Sequence, residues 1–206
     1  MSSSGQFYGV ALNDRLELES LGEAFGQKPY LAPPRAPVVY MKPGCALARG
    51  PIPVPRGQAV VVAATLALLF SRNASHCDPV DAMSTVGAIA LALDVSLPQA
   101  NYYRPAVPQT IRESFLALGS WVPVTTVQTI TTDVAGGPSH SWQLDRLDRE
   151  PARLISDLSQ FMTLRAGDVL LVGLPGDAPH VSGTLDLSVT AAEMAALNVT
   201  LVEEQS

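Results

Sequence analysis

A single carboxylate, Asp94, ends the apolar run in "IALALDVSLPQANYYRP" (residues 89–105), and Tyr103 and Arg104 follow shortly after it. An acid in this setting could bind a metal, accept backbone N–H bonds where a helix gives way to a strand, or survive from a site whose other members are gone. A hard divalent cation needs several oxygen ligands, and no second acid stands near Asp94 in the sequence. Other chemistry-bearing residues are sparse. His76 sits in "SHCD", where an imidazole, a thiol and an acid are sequence neighbours in a turn and do not converge. His140 lies in a Gly-Gly hairpin and His180 in "GDAPHVSG", and both read as loop residues. Cys45 and Cys77 form no C-x-x-C pair, which speaks against a zinc site or a disulfide framework. Neither a G-x-S-x-G elbow nor a G-x-G-x-x-G phosphate loop is present.

The 206 residues, 47% of them hydrophobic, suffice for a buried core and fit a single domain over 1–206. Within it, residues 1–50 read as an N-terminal helix and proline-rich lead-in, and 51–206 as a β-rich core. A net charge of −6, with no Lys or Arg run, argues against nucleic acid and against anionic membrane surfaces as partners. The opening "MSSSGQFYGV" lacks a basic and then apolar leader, and the longest apolar run, Ala59 to Phe70, is short of the ~20 residues of a membrane helix. The expectation is a cytoplasmic protein, in which the sequons at Asn73 and Asn198 carry no sugar.

Along the chain, "NDRLELESLGEAFG" predicts a short helix capped by Asn13 or Asp14, with Leu21 and Phe25 on one face and Gly26 as its stop. "KPYLAPPRAP" and "GPIPVPRG" read as irregular, and "VVYMK" as a strand. "QAVVVAATLALLF" reads as a buried strand. "CDPVDAMSTVGAIALALD" predicts a helix opened by Asp78 and Pro79 and ending near Asp94. "VPVTTVQTITTDVAGGPSHSW" predicts two strands around Gly136-Gly137. "REPARLISDLSQFMTL" predicts an amphipathic helix opened by Pro151, with Leu154, Leu158, Phe161 and Met162 as its apolar stripe. "AGDVLLVGLP", "TLDLSVTA" and "NVTLVEE" complete the chain as strands. Strands with three short helices, not alternating βαβ units, predict a strand-dominated α+β fold.

"LSQFMTLRAGDVLLVGLP" resembles the near-terminal signature of the fumarylacetoacetate hydrolase family. "DVSLPQANYYRP", "APPRAPVVYMKPGCALARGPIPVP" and "YGVALNDR" are similar to one branch of it, the bifunctional isomerase/decarboxylases of 4-hydroxyphenylacetate (homoprotocatechuate) breakdown. The likeness is to their N-terminal half, or to the small subunit that replaces it when the enzyme is split, and it covers nearly the whole chain. It implies a mixed β fold like the family's C-terminal domain, with a few short helices. It also implies Mg²⁺ or Mn²⁺ held by two glutamates of an E-x-E strand and one downstream aspartate, acting as Lewis acid on a 2-oxo acid.

Asp94 falls at the family's aspartate, while Ala63 and Thr65 occupy the two glutamate positions, so Asp94 reads as a vestigial metal ligand. Glu17 and Ser20 fall where catalytic relatives carry a His and a Glu for proton transfer. Thr110 replaces a lysine, Arg112-Glu113-Ser114 stands for Arg-Asp-Gly, and Leu174 for the Thr of a Gly-Thr-Pro loop. Lys42, Tyr103 and Arg104 persist and, with Arg112, are the pocket candidates. They read either as contacts to a small polycarboxylate substrate or as strand-end packing and surface pairing. The resemblance therefore implies no metal in this chain, Mg²⁺ or Mn²⁺ in a homologous catalytic subunit, and assembly with that subunit or with itself. A self-sufficient enzyme rebuilt around Asp94, Glu113 and the pocket cations, or a small-molecule-binding protein, are the alternatives.

Overall fold

Two β-sheets pack face to face around an apolar core in the computed structural model, which describes residues 5–205. Met1–Ser4, the start of the segment read above for a leader, lie outside it. The first sheet contains β1 (Phe7–Ala11), β2 (Val38–Lys42), β4 (Val60–Phe70), β5 (Val86–Ser96), β6 (Leu116–Leu118) and β9 (Val169–Leu171) in the order β2-β1-β9-β4-β5-β6, with β10 (His180–Val181) paired to β4. The second runs β3 (Ile52–Val54), β12 (Leu197–Glu203), β11 (Leu185–Thr190), β7 (Thr129–Val134), β8 (His140–Gln143). Helices α1 (Arg15–Ser20), α2 (Gly22–Phe25), α3 (Pro79–Ala82), α4 (Val107–Thr110) and α5 (Pro151–Ser159) are all short. The strand-dominated expectation holds.

Strands β4 and β5 form the centre and explain the most continuous apolar sequence. Their faces divide with strand alternation: Val62, Ala64, Leu66, Leu68, Leu91, Leu93 and Val95 enter the core shared by both sheets. The opposite face carries Ala67, Leu69, Ala88, Ala90 and Ala92, packed with Phe7, Leu116, Val169 and Leu171. A strand buried on both faces loses the apolar-polar alternation that would announce it.

That is why the helix expected over 78–94 is corrected. Asp78 and Pro79 do open a helix, but it lasts one turn, Pro79–Ala82, and Asp78 makes no side-chain cap. From Val86 the chain is a strand, in which small and large residues alternate through "GAIALALD". Asp94 is therefore inside a strand, not at a helix-to-strand junction. "GPIPVPRG" also contains a short strand, Ile52–Val54, lying parallel to β12 at the sheet edge, where prolines are tolerated.

The N-terminal helix is split into α1 and α2, and Asn13 and Asp14 serve tertiary contacts instead of capping it. In α5, Leu154 and Leu158 are buried and Met162 packs beside the core, but Phe161 is 61% exposed and leaves the stripe, because α5 ends at Ser159. The Gly136-Gly137 hairpin is as expected, with Gly136 at φ +75°.

After β2 the chain runs along β6. Leu47 bridges to Leu116, Ala48 donates to the Leu116 carbonyl, and Ser114 donates to that of Cys45. This brings the two ends of the first sheet together around its small-residue face. Asp94 lies on that face.

Candidate functional site

Asp94 stands directly opposite Ala63 in the antiparallel β4–β5 register, and Thr65 stands opposite Ala92. Ala63, Thr65 and Asp94 therefore share one face. Tyr40 and Lys42, two apart on β2, also share a face and converge on Asp94 from the far end of the sheet. The Tyr40 hydroxyl donates to Asp94 Oδ2 at 2.7 Å, and Lys42 Nζ lies 2.9 Å from Oδ1. Lys42 spends its remaining donors on the Val95 and Phe115 carbonyls, at 2.8 and 3.0 Å. Burial, followed by the charge of Asp94, pushes the Tyr40 phenol well above its usual range. The ring has room because its partner across β1 is Gly9, where a Cβ would come within 2.1 Å of Tyr40 Cζ.

Above this ion pair opens a cavity of about 510 Å³. Tyr40, Ala63 and Asp94 line its floor, and the segment from Leu97 to Ile111 forms one wall, including Tyr102, Tyr103, Arg104 and Thr110. Leu174–Gly176, Ala178 and His180 form another.

Each wall is tied down. Tyr102 donates its backbone N–H to the Tyr30 hydroxyl at 2.7 Å and its phenol to Glu17, while Tyr30 meets the Tyr103 ring edge-on at 6.3 Å. Burial raises the Glu17 carboxyl above its usual value, although the Tyr102 hydrogen bond opposes this, and burial and Glu17 together raise Tyr102. Glu17 also backs the other wall, since a Cβ at Gly176 would meet Glu17 Cβ at 2.4 Å. That second wall hangs on a buried carboxylate. Asp14 accepts from the Gly176 N–H at 2.7 Å and from Arg146 Nε at 2.9 Å, and Arg146 reaches on to Asp177, with His140 Nε2 3.1 Å away. Burial alone would raise Asp177, but hydrogen bonds from Arg146 and His140 outweigh it and lower its carboxyl.

A profile of the family domain described as fumarylacetoacetate hydrolase C-terminal matches residues 6–200. The chain belongs to the fumarylacetoacetate hydrolase family. It is 40% identical over 178 residues to the 4-hydroxyphenylacetate degradation bifunctional isomerase/decarboxylase of Escherichia coli, covering 83% of this chain and 41% of that protein. The corresponding protein of Salmonella dublin is 39% identical over 175 residues, with the same coverage. The chain thus spans less than half the length of these curated relatives. Among solved structures, fumarylpyruvate hydrolase from Pseudomonas aeruginosa, in complex with Mn²⁺ and pyruvate, superposes with a TM-score of 0.81 at 19% identity, over 97% of this chain and 90% of that one. A fumarylacetoacetate hydrolase family protein from Yersinia pestis gives 0.80 at 20% identity, over 96% and 93%. At such identities the likeness is one of fold.

Ala63, Thr65 and Asp94, the positions to which the sequence resemblance points for a metal, do not suit one as they stand. Ala63 supplies no ligand atom, the Thr65 hydroxyl donates to the Gly173 carbonyl at 2.6 Å, and both Asp94 oxygens already face donors. Among the described residues, no three His, Cys, Asp or Glu side chains converge on one point.

Of the pocket candidates, Tyr103 and Arg104 line the cavity. Lys42 lies behind Asp94, fully buried, and contacts the cavity through that acid. Arg112 is outside the wall, 3.7 Å from Glu204 and stacked 5.5 Å from the centre of the Phe115 ring. Glu113 is exposed and does not join Asp94. Glu17 is drawn to the site through Tyr102, whereas Ser20 turns back to the Glu17 carbonyl on the surface of α1.

Sequence reasoning missed Tyr40, Gly9, Tyr102 and the wall position of His180. Two of these left a signal: Tyr40 and Lys42 occupy one face of "VVYMK", and a lone Gly inside "FYGVA" marks a close approach across a strand.

Proposed function

We propose that this chain is one half of a 4-hydroxyphenylacetate-catabolic isomerase/decarboxylase, and that it is the metal-free partner of a homologous half bearing Mg²⁺ or Mn²⁺. The complex would decarboxylate 5-oxopent-3-ene-1,2,5-tricarboxylate and isomerise 2-hydroxyhepta-2,4-dienedioate in the cytoplasm. The observation that supports it is Ala63 directly opposite Asp94 with Thr65 on the same face, so that neither position brings a second carboxylate to Asp94. Coverage of 41% of the E. coli relative supports a half that works beside another half. Residues 1–206 would act as one domain whose contribution is a pairing surface for the homologous fold.

The test is co-expression with a homologous chain that carries the E-x-E pair, followed by size measurement and assay of both steps. A stable complex, with both steps dependent on the E-x-E chain, is expected. A chain that stays apart from such homologues refutes the reading. A self-sufficient enzyme is the second reading, and the Glu17–Tyr102 pair favours it by placing a carboxyl of raised affinity for protons beside the cavity. Metal-independent turnover by the chain alone, lost in Glu17→Gln, would select it.

A further inference from the structure

We propose that the cavity is a metal-independent receptor for a small monocarboxylate with an apolar or aromatic body. This concerns the chain by itself and does not rest on the pairing proposed above. The charge on the walls decides the ligand class. Among the described residues Asp94 is the one acid in the lining, and Lys42 neutralises it from behind while Tyr40 fills its second oxygen. The floor therefore neither attracts a cation nor strongly repels an anion.

Arg104 is the one permanent cation in the lining, and among the described residues it makes no ion pair or hydrogen bond. A free guanidinium on a cavity wall suits one carboxylate, which it can grip through two parallel N–H bonds. His180 on the opposite wall adds a further ring N–H donor. The rest is mainly apolar and aromatic, with Val39, Leu97, Ile111 and Leu174 among the walls. A second or third carboxylate would find no further permanent cation there. The volume, about 510 Å³, falls in the range of small-molecule sites.

The test is calorimetric titration of the chain, freed of metal with EDTA, with phenylacetate, succinate and benzyl alcohol as probes. Saturable one-to-one binding of phenylacetate is expected, unaltered by Mn²⁺, with succinate and benzyl alcohol each weaker by roughly tenfold or more. Arg104→Gln, a surface change that should leave the melting temperature alone, should weaken phenylacetate by a similar factor. Ile111→Glu, which adds a like charge to the partly exposed wall, should abolish binding. Absence of binding, binding only with Mn²⁺, preference for succinate, or indifference to Arg104→Gln would each overturn the proposal. Complex formation with a homologous chain is measured separately, so either idea can fail alone.

Discussion

The Lys42 ammonium lies 2.9 Å from the Asp94 carboxylate with the two side chains only 0% and 2% exposed, at the place where the ends of the first sheet meet. A pair this deep is held less by its Coulomb energy, which desolvation largely offsets, than by the lack of any other way to satisfy either charge. Lys42→Met should therefore cost about 3–5 kcal/mol, because Asp94 is left charged and buried. For a chain of this size that is a fall in melting temperature on the order of 10 °C. Lys42→Met combined with Asp94→Asn should be less damaging than the sum of the singles. Additive losses would show that the two groups do not act as a pair.

Gly9 makes a second, purely steric prediction. A Cβ there would overlap the Tyr40 ring, so Gly9→Ala must push the ring aside and pull its hydroxyl from Asp94. The expected cost is about 1–3 kcal/mol. Much of it should vanish in the background of Tyr40→Ala, where no ring is left to displace. Denaturant melts of the four proteins check this, and an unchanged penalty without the ring would mean that β1 needs glycine for another reason.

The Glu17 carboxyl is held above its ordinary value of 4.5, mainly by burial, so the folded chain binds its proton more tightly than the unfolded chain does. Its contribution to stability is then fullest below that ordinary value and is lost as pH rises through the folded value. Glu17→Gln removes the titration while keeping an acceptor for Tyr102. The stability of the native chain relative to Glu17→Gln should fall as pH is raised from acid towards neutral. Paired melts across that range measure it. A difference that stays flat, or that grows with pH, would contradict the proton affinity assigned to Glu17.

Much of the architecture was legible because turn chemistry and proline punctuation mark element ends, as at the Gly136-Gly137 hairpin and at Pro151, which opens α5. The central strand β5 was not. Its two faces are both buried, so "GAIALALD" offered no polar side to set a period, and the Asp78-Pro79 signal pointed to a helix that the structure keeps for a single turn. The site was half legible. Residue types at 63, 65 and 94 could be read in one dimension, and their shared face followed from register. Lys42 and Tyr40 meeting Asp94 could not, since β2 and β5 lie far apart in the strand order and approach only because the sheet curls. Nor could the Glu17–Tyr102 bond, which joins a helix to a loop 85 residues away.

If Asp94 is what remains of a three-carboxylate cage, then the backbone still aims residues 63 and 65 at the space beside it. The register supports this, with Ala63 opposite Asp94 and Thr65 one pleat further on the same face. Ala63→Glu with Thr65→Glu should then produce a chain that binds Mn²⁺. In the absence of metal it should be destabilised by roughly 3 kcal/mol, because clustered carboxylates repel one another in a partly desolvated site and the Thr65 bond to Gly173 is gone. Mn²⁺ binds only the folded form and must compete with Lys42 for Asp94, so it should restore part of that loss in a concentration-dependent way. Thermal melts of the double variant with and without Mn²⁺, beside the same variant carrying Asp94→Ala, decide the matter. A melting temperature that does not respond to metal, or that responds equally without Asp94, would sink the cage reading. Asp94 would then be only the internal partner of Lys42 and Tyr40. Restored turnover is not expected even if metal binds, since the sequence resemblance implies that Glu17, Ser20 and Thr110 still lack the family's proton-transfer groups.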